Sequence, residues 1–235
     1  MTRAADRFDP ASLADLDEPI RRHLTHAISA GAPLASGTRL RMRGRIKVRI
    51  WLPFIAEWEG DGRSFAWRAR AGWGPLRPLR AIDRFADRAG SMDVRLFGRI
   101  PLVHADDEDA TRSGAGRAGV EAANWAPQAL LPERGVSWRA ESDEHIVASW
   151  EVPPERLEVH LRIGPDGGLR SSWVERWDGG EHGERGYIPC GGDIHAERRF
   201  GELTLPSRVT VGWWFGTPRY VPFFEAEVLA AEGVA

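Results

Sequence analysis

The chain has 235 residues, 42% hydrophobic and 28% charged, with 32 basic against 34 acidic side chains. That balance excludes a disordered tail or a fibre and fits one globular domain, long enough to bury about 70% of the surface its unfolded form exposes without a metal or disulfide staple. A net charge of −2 gives no global field for nucleic acid or acidic lipid, and two biases stand out: 11 Trp, and a basic set in which Lys47 is the only lysine.

Residues 1–16 alternate charge with apolar side chains and hold no uninterrupted apolar core of the kind a secretory signal needs, so export is not expected. The longest apolar run, Ile50 to Ala56, contains Pro53 and falls far short of the roughly 20 residues that span a bilayer. Cys190 stands alone, which rules out an intrachain disulfide and fits a reducing, cytoplasmic setting. Its surroundings, Tyr187 to Asp193, read as a turn between strands and favour a structural thiol over a nucleophilic one.

Along residues 1–30, Asp17 is placed to cap a helix with Pro19 in its first turn, and Ile20, Leu24, Ala27 and Ile28 share one face as a packing stripe. A Gly/Pro/Ser linker, 30–37, ends it. From Thr38 the period becomes two. Leu40, Met42, Gly44, Ile46, Val48 and Ile50 alternate with Arg39, Arg41, Arg43, Arg45, Lys47 and Arg49, a strand with one buried and one solvated face. The cationic ladder suits a phosphate track, but with no second basic strand it reads better as a solvated face paired by acidic neighbours.

Phe54, Ala56 and Trp58 share a face, as do Phe65, Trp67, Ala69 and Ala71 after the turn at 60–63, which predicts a hairpin. Leu79, Ala81, Asp83 and Phe85 follow, and a turn at Ala89-Gly90-Ser91 leads to Met92, Val94 and Leu96. The span 38–103 is therefore an antiparallel meander of about five strands. Residues 104–132 interrupt it with a helical insertion, its acidic start at 104–109 suiting a helix N-terminus and its end marked by Pro127. A second meander occupies 133–230. Ile146, Ala148, Trp150 and Val152 form one strand face and Leu157, Val159, Leu161 and Ile163 another. After the turn at 164–168, Leu169, Ser171, Trp173, Glu175 and Trp177 share a face. Runs at 203–215 and 220–229 close the chain. The tally is about eleven strands and two helices in a single mainly β domain, a curled antiparallel sheet with helices covering one face.

Motifs are few. Gly114-Ala-Gly-Arg-Ala-Gly119 matches the dinucleotide fingerprint, yet no strand feeds it and the acidic run Asp106 to Asp109 just before it repels phosphate, so no such site is expected. His182, Cys190 and His195 match no zinc spacing, His23 and His26 form at most half a site, and His104, His145 and His160 fall in unrelated strands or turns, so neither metal nor cofactor is predicted. No nucleophile elbow, P-loop or paired-histidine zinc helix occurs.

What remains is Trp58, Trp67, Trp150, Trp173 and Trp214 on strand faces that point the same way, with Asp83 among them. A carboxylate on an apolar face is paired with Arg, protonated or in use, and Arg pairing is the common outcome in so arginine-rich a chain.

The segments Trp51 to Glu57, Phe65 to Ala69, Val120 to Pro132 and Trp213 to Tyr220 resemble the blocks of a bacterial domain-of-unknown-function family, over Phe8 to Val228. The resemblance implies a fold similar to the lipoprotein-localisation factors, an incomplete antiparallel barrel around a helical plug. It carries no catalytic residues over. Gly114, Gly116 and Gly119 depart from that family's better helix formers, which puts the length of the helix in question.

Three readings stay open. In the first, the Trp-rich concave face (Trp58, Trp67, Asp83, Trp150, Trp173, Trp214) holds a small hydrophobic or lipid-like ligand. In the second, Asp83 or Glu57 acts as acid or base in the same cavity, which requires that it be neither paired with Arg nor open to solvent. In the third, the face is packed core and the protein is an interaction partner.

Overall fold

The structure is a computed structural model that describes residues 7–183 and 185–234; residues 1–6, part of the segment scanned for a leader, lie outside the described residues. Strands β1 (Gly37–Lys47), β2 (Trp51–Gly60), β3 (Phe65–Ala71), β4 (Leu79–Ala86), β5 (Ala89–Leu96) and β6 (Ile100–Ala105) form the first meander. Strands β7 (Ser137–Ser142), β8 (His145–Val152), β9 (Glu155–Ile163), β10 (Leu169–Asp178), β11 (Gly186–Phe200), β12 (Leu203–Trp213) and β13 (Val221–Val234) form the second. Terminal strands β1 and β13 pair with each other, so the two meanders make one open 13-stranded antiparallel sheet whose edges are β6 and β7.

The helix α2 (Glu108–Trp125) carries the chain from one edge to the other. It packs on β4 and β5 near the first edge and on β8, β9 and β10 near the second. A flat sheet of this size would be roughly 58 Å wide, far more than a helix of about 10 Å can bridge, so the sheet curls around α2. The expectation of an incomplete barrel around a helical plug agrees with this architecture.

The described residues form 13 strands, which corrects the expectation of about eleven. Strand β6 escaped detection because it is an edge with almost every residue exposed, so it carries no two-residue burial pattern. Strand β7 is similarly exposed. Tyr187 to Asp193, which read as a turn in the sequence, lie within β11, with Gly191 and Gly192 mid-strand, where a side chain would strike Trp173 and the Thr210 backbone. The hairpin turn placed at Ala89-Gly90-Ser91 is instead Asp87-Arg88, both at positive φ, closed by the pair Ala86 and Ala89.

The alternation of β1 holds only to Lys47. Val48 and Ile50 are 70% and 58% exposed in the turn to β2, because the chain has already reversed there. The cationic ladder is paired from both sides: Arg39 with Glu59 at 2.9 Å and with Glu232, Arg43 with Glu227 at 2.7 Å, and Arg45 with Glu225 at 2.6 Å. Exposed pairs of this kind are screened by water and contribute little, so the ladder sets register and solubility more than stability.

The first helix, α1 (Glu18–Ala27), begins after Asp17 as expected, and Ile20, Leu24, Ala27 and Ile28 are buried. The Asp17 side chain makes no capping bond; its backbone carbonyl accepts from Ile20 and Arg21. At α2, the Asp107 side chain accepts from the Ala110 amide at 2.9 Å. The helix runs unbroken for 18 residues through Gly114, Gly116 and Gly119. These glycines are approach points: a Cβ on Gly119 would lie 2.4 Å from Leu157 Cδ1, and one on Gly114 3.2 Å from the Phe85 ring. The fingerprint-like run therefore lies inside a helix and marks close helix–sheet packing, with no phosphate loop.

Candidate functional site

The structure brings together four of the six predicted site residues. Trp58 (β2), Trp67 (β3), Asp83 (β4) and Trp150 (β8) lie on the inner face, all buried. Two of the indoles are spoken for: Trp58 donates to Glu121 Oε2 on α2 at 2.6 Å, and Trp150 to the Gly62 carbonyl at 2.8 Å. The Trp67 indole N–H finds no partner among the described residues.

Trp173 and Trp214 are placed elsewhere, a correction to the shared face. A bulge between Leu169 and Ser171 shifts the phase of β10, so Ser172 opposes buried Leu161 and Trp173 opposes His160 on the outer face. Glu175 is consequently exposed. Trp214 follows β12 in a turn at positive φ, beneath the Arg219 guanidinium 3.7 Å from its ring centroid.

Neither candidate acid or base is free. Arg117 of α2 forms ion pairs with Asp83 and with Glu121, the latter at 2.8 Å, and lies 4.7 Å from the Phe65 ring centroid. Burial alone would lower the Arg117 pKa, but attraction to Glu121 and Asp83 outweighs it and raises the pKa, so the guanidinium stays charged. Glu57 is exposed on the outer face opposite Arg41 and Arg68. The acid–base reading fails on both requirements.

The inner face nevertheless extends beyond the helix. Register rows run Phe54, Ala71, Leu79, Leu96, Ile100 and, beside it, Ala56, Ala69, Ala81, Val94, Val103. Both rows begin buried at β2 and emerge at the β6 edge, where Ile100 is 55% and Val103 45% exposed, with Met92 at 37%. Helix α2 meets this arm lower down, where Gly90 lies against Ala110 and Phe85 against Gly114. The rows stay buried through Phe54, Ala56, Ala69 and Ala71, become half-buried at Leu79, Ala81, Val94 and Leu96, and open to solvent on β6, which leaves their outer part as an accessible apolar face. Aromatic side chains close its buried end: Phe54 lies 5.6 Å from Trp67 and 5.2 Å from Phe224. Both exposed ends of this face, Ile100 and Val103, sit on β6, a strand that the alternation does not predict.

The histidines and the cysteine weighed in the sequence are each engaged separately. His182 bonds Asp178, His195 bonds Thr210 on the outer face, and Cys190 is buried beside Arg176, its thiol pKa pushed up by burial. His23 is buried against the Gly167 carbonyl, and burial lowers its pKa to about 4, while His26 pairs with Glu197. The structure instead gathers Glu141, His145 and His160 on the outer face, their ligand-capable atoms all within 4.8 Å of one another. Sequence spacing hid this group because His145 and His160 become neighbours only through the β8–β9 register, in which His145 opposes Arg162 and His160 opposes Val147.

The model of a family of unknown function, DUF6544, matches residues 6–226. No curated protein matches in sequence. Among solved structures, the chain is similar to a DUF1329 family protein from Desulfovibrio piger, with 8% identity and a TM-score of 0.43, over 96% of this chain and 94% of that one. It is also similar to a LolA superfamily protein from Nitrosomonas europaea, with 8% identity and a TM-score of 0.45, over 92% of each chain. A third, a putative outer membrane lipoprotein-sorting protein domain from Vibrio parahaemolyticus, has 6% identity and a TM-score of 0.42, over 84% of this chain and 85% of that one. No helix among the described residues is long and apolar enough to cross a membrane.

Proposed function

The chain belongs to the DUF6544 family, whose function is unknown, and from its own geometry we propose that it binds a hydrophobic ligand of acyl-chain type on the uncovered part of the inner face. The observation that supports this reading most is the pair of apolar rows that continue past α2 into solvent, ending at Ile100 and Val103. Large apolar side chains at the end of a concave face gain about half of their 1.5–3 kcal/mol burial energy each when a ligand covers them. Half-buried Leu79, Ala81, Val94 and Leu96 are the part of the rows that a chain would lie along. The ligand face is thus shifted from the packed Trp58 and Trp150 toward β4, β5 and β6.

Titration with a long-chain fatty acid, followed by intrinsic Trp fluorescence, tests the reading. Trp67, whose ring lies 5.6 Å from that of Phe54 at the buried end of one row, is placed to report it, and a saturable change at one ligand per chain is expected. No saturable change overturns it. A second reading, docking of another polypeptide along β6, is favoured by that strand's open edge and by exposed Phe97 and Leu102. It predicts concentration-dependent association in light scattering with no response to fatty acid.

A further inference from the structure

We propose that Glu141, His145 and His160 form a binding site for one borderline divalent transition-metal ion of the Zn2+ type on the outer face of β7, β8 and β9. This site is separate from the apolar inner face and does not depend on its role. His145 sits in the middle: Nδ1 is 3.1 Å from Glu141 Oε2, and Nε2 is 3.1 Å from His160 Nδ1. Two imidazoles and one carboxylate are the donor set that holds Zn2+ with an open fourth position. Bonds of about 2.0–2.2 Å in a tetrahedral site place donor atoms roughly 3.3–3.5 Å apart. One ion takes a single nitrogen of His145, so one of the two 3.1 Å contacts is already within a few tenths of an ångström of that spacing, and the remaining donor atoms, all within 4.8 Å, close by at most about 1.5 Å through side-chain rotation.

The rings are held before any ion arrives. Trp173 stacks on His160 with centroids 4.9 Å apart and planes at 8°, and lies 5.3 Å from His145. The bulge in β10 that removes Trp173 from the inner face is what places it here. Arg139 donates to Glu141 and also to Glu158, which orients the carboxylate in the way outer partners orient metal ligands. Facing charges are mixed: Arg139 and Arg162 oppose a cation, and Glu141 and Glu158 favour it. Both histidines are half-buried and Glu141 is exposed, so water or an external ligand reaches the fourth position. Hard ions that prefer all-oxygen shells, Mg2+ and Ca2+, are excluded by the two nitrogens.

The full chain, stripped with a chelator, is titrated with Zn2+ against a chromophoric competitor, and its thermal midpoint is measured with and without Zn2+. The expected result is one Zn2+ per chain, a raised midpoint, no binding of Mg2+, and at least about tenfold weaker binding in His160→Ala and in Glu141→Gln. Co2+ in place of Zn2+ should give visible absorption that His160→Ala abolishes. His195→Ala, on the same outer surface but outside the cluster, should bind as the parent does. Should His160→Ala melt at a much lower temperature than the parent without metal, the exposed Glu141→Gln variant decides alone. Binding without saturation, equal affinity in the parent and Glu141→Gln, or equal loss in His195→Ala overturns the assignment.

Discussion

Arg117 on α2 and Asp83 on β4 form a buried ion pair that ties the plug to the inner face of the first meander. Glu121, one turn further along the helix, closes the other side of the guanidinium and accepts from the Trp58 indole with its second oxygen. The helix is thereby bound to β2 and β4 through one cation. This explains why a carboxylate sits among apolar neighbours in β4: it is a structural counter-ion.

Removing the cation leaves two carboxylates buried without their partner. Arg117→Met keeps most of the side-chain volume and is expected to lower folding stability by about 3–5 kcal/mol, measured by urea denaturation. Loss of less than about 1 kcal/mol would mean that the pair is not held in a dry environment.

The approach of α2 to β5 rests on Gly90, where a Cβ would lie 2.4 Å from the Ala110 carbonyl oxygen and 2.8 Å from the Thr111 Cα. Both obstacles are helix backbone, so no rotamer change relieves them. Gly90→Ala should therefore lower stability by about 1–3 kcal/mol in the same denaturation assay, by pushing the helix off the hairpin. Gly119→Ala meets the Leu157 side chain instead, and its clash is opposed by a helix-propensity gain of about 1 kcal/mol, so the smaller loss is expected there.

Much of this framework was legible in the sequence because two-residue alternation reports a sheet with unequal faces. Leu40 and Met42, Phe54 to Trp58, and Phe65 to Ala71 all behave as that period demands. What failed was local. A single extra residue near Ser171 reversed the face of Trp173, and no composition signal announces such a bulge. Edge strand β6 has no buried side to betray it, and mid-strand Gly191 and Gly192 imitate a turn while answering a need for space against β10 and β12. The Glu141–His145–His160 group depends on hairpin register, which only the paired strands reveal.

His23 makes stability depend on pH in a definite direction. Burial lowers its folded pKa to about 4 from an ordinary value of 6.5, so between those values the unfolded chain binds a proton that the folded chain does not. Stability contributed by the neutral ring is complete above pH 6.5 and is lost as pH falls toward 4, amounting to about 2 kcal/mol by pH 5. His23→Asn keeps a donor for the Gly167 carbonyl and removes the titration. Urea midpoints at pH 7 and pH 5 should lie closer together in this variant than in the parent; an unchanged gap would assign the acid sensitivity elsewhere.

Cys190 should be silent in the folded protein. It is buried, and its thiol pKa is raised by desolvation despite the nearby Arg176, so little thiolate forms and little of it is reachable. A disulfide reagent at pH 8 should label it only at the rate of unfolding, and labelling should become immediate in denaturant. Fast labelling without denaturant would show that β11 opens locally.

The ligand face can be separated from the fold by a substitution at its solvent end. Val103 is 45% exposed on β6 and opposes Val94 across the strand pair, so a charge there costs little in folding, within about 1 kcal/mol. The same charge would have to be desolvated beneath a bound acyl chain, a penalty of at least about 1.4 kcal/mol and hence about tenfold in affinity. Val103→Asp should therefore keep the parent's urea midpoint while weakening fatty-acid binding about tenfold in the Trp fluorescence titration. A matching charge at Ile55, exposed on the outer face, should leave binding unchanged. If both variants weaken binding equally, the ligand is responding to net charge and does not lie along the rows that end at Ile100 and Val103.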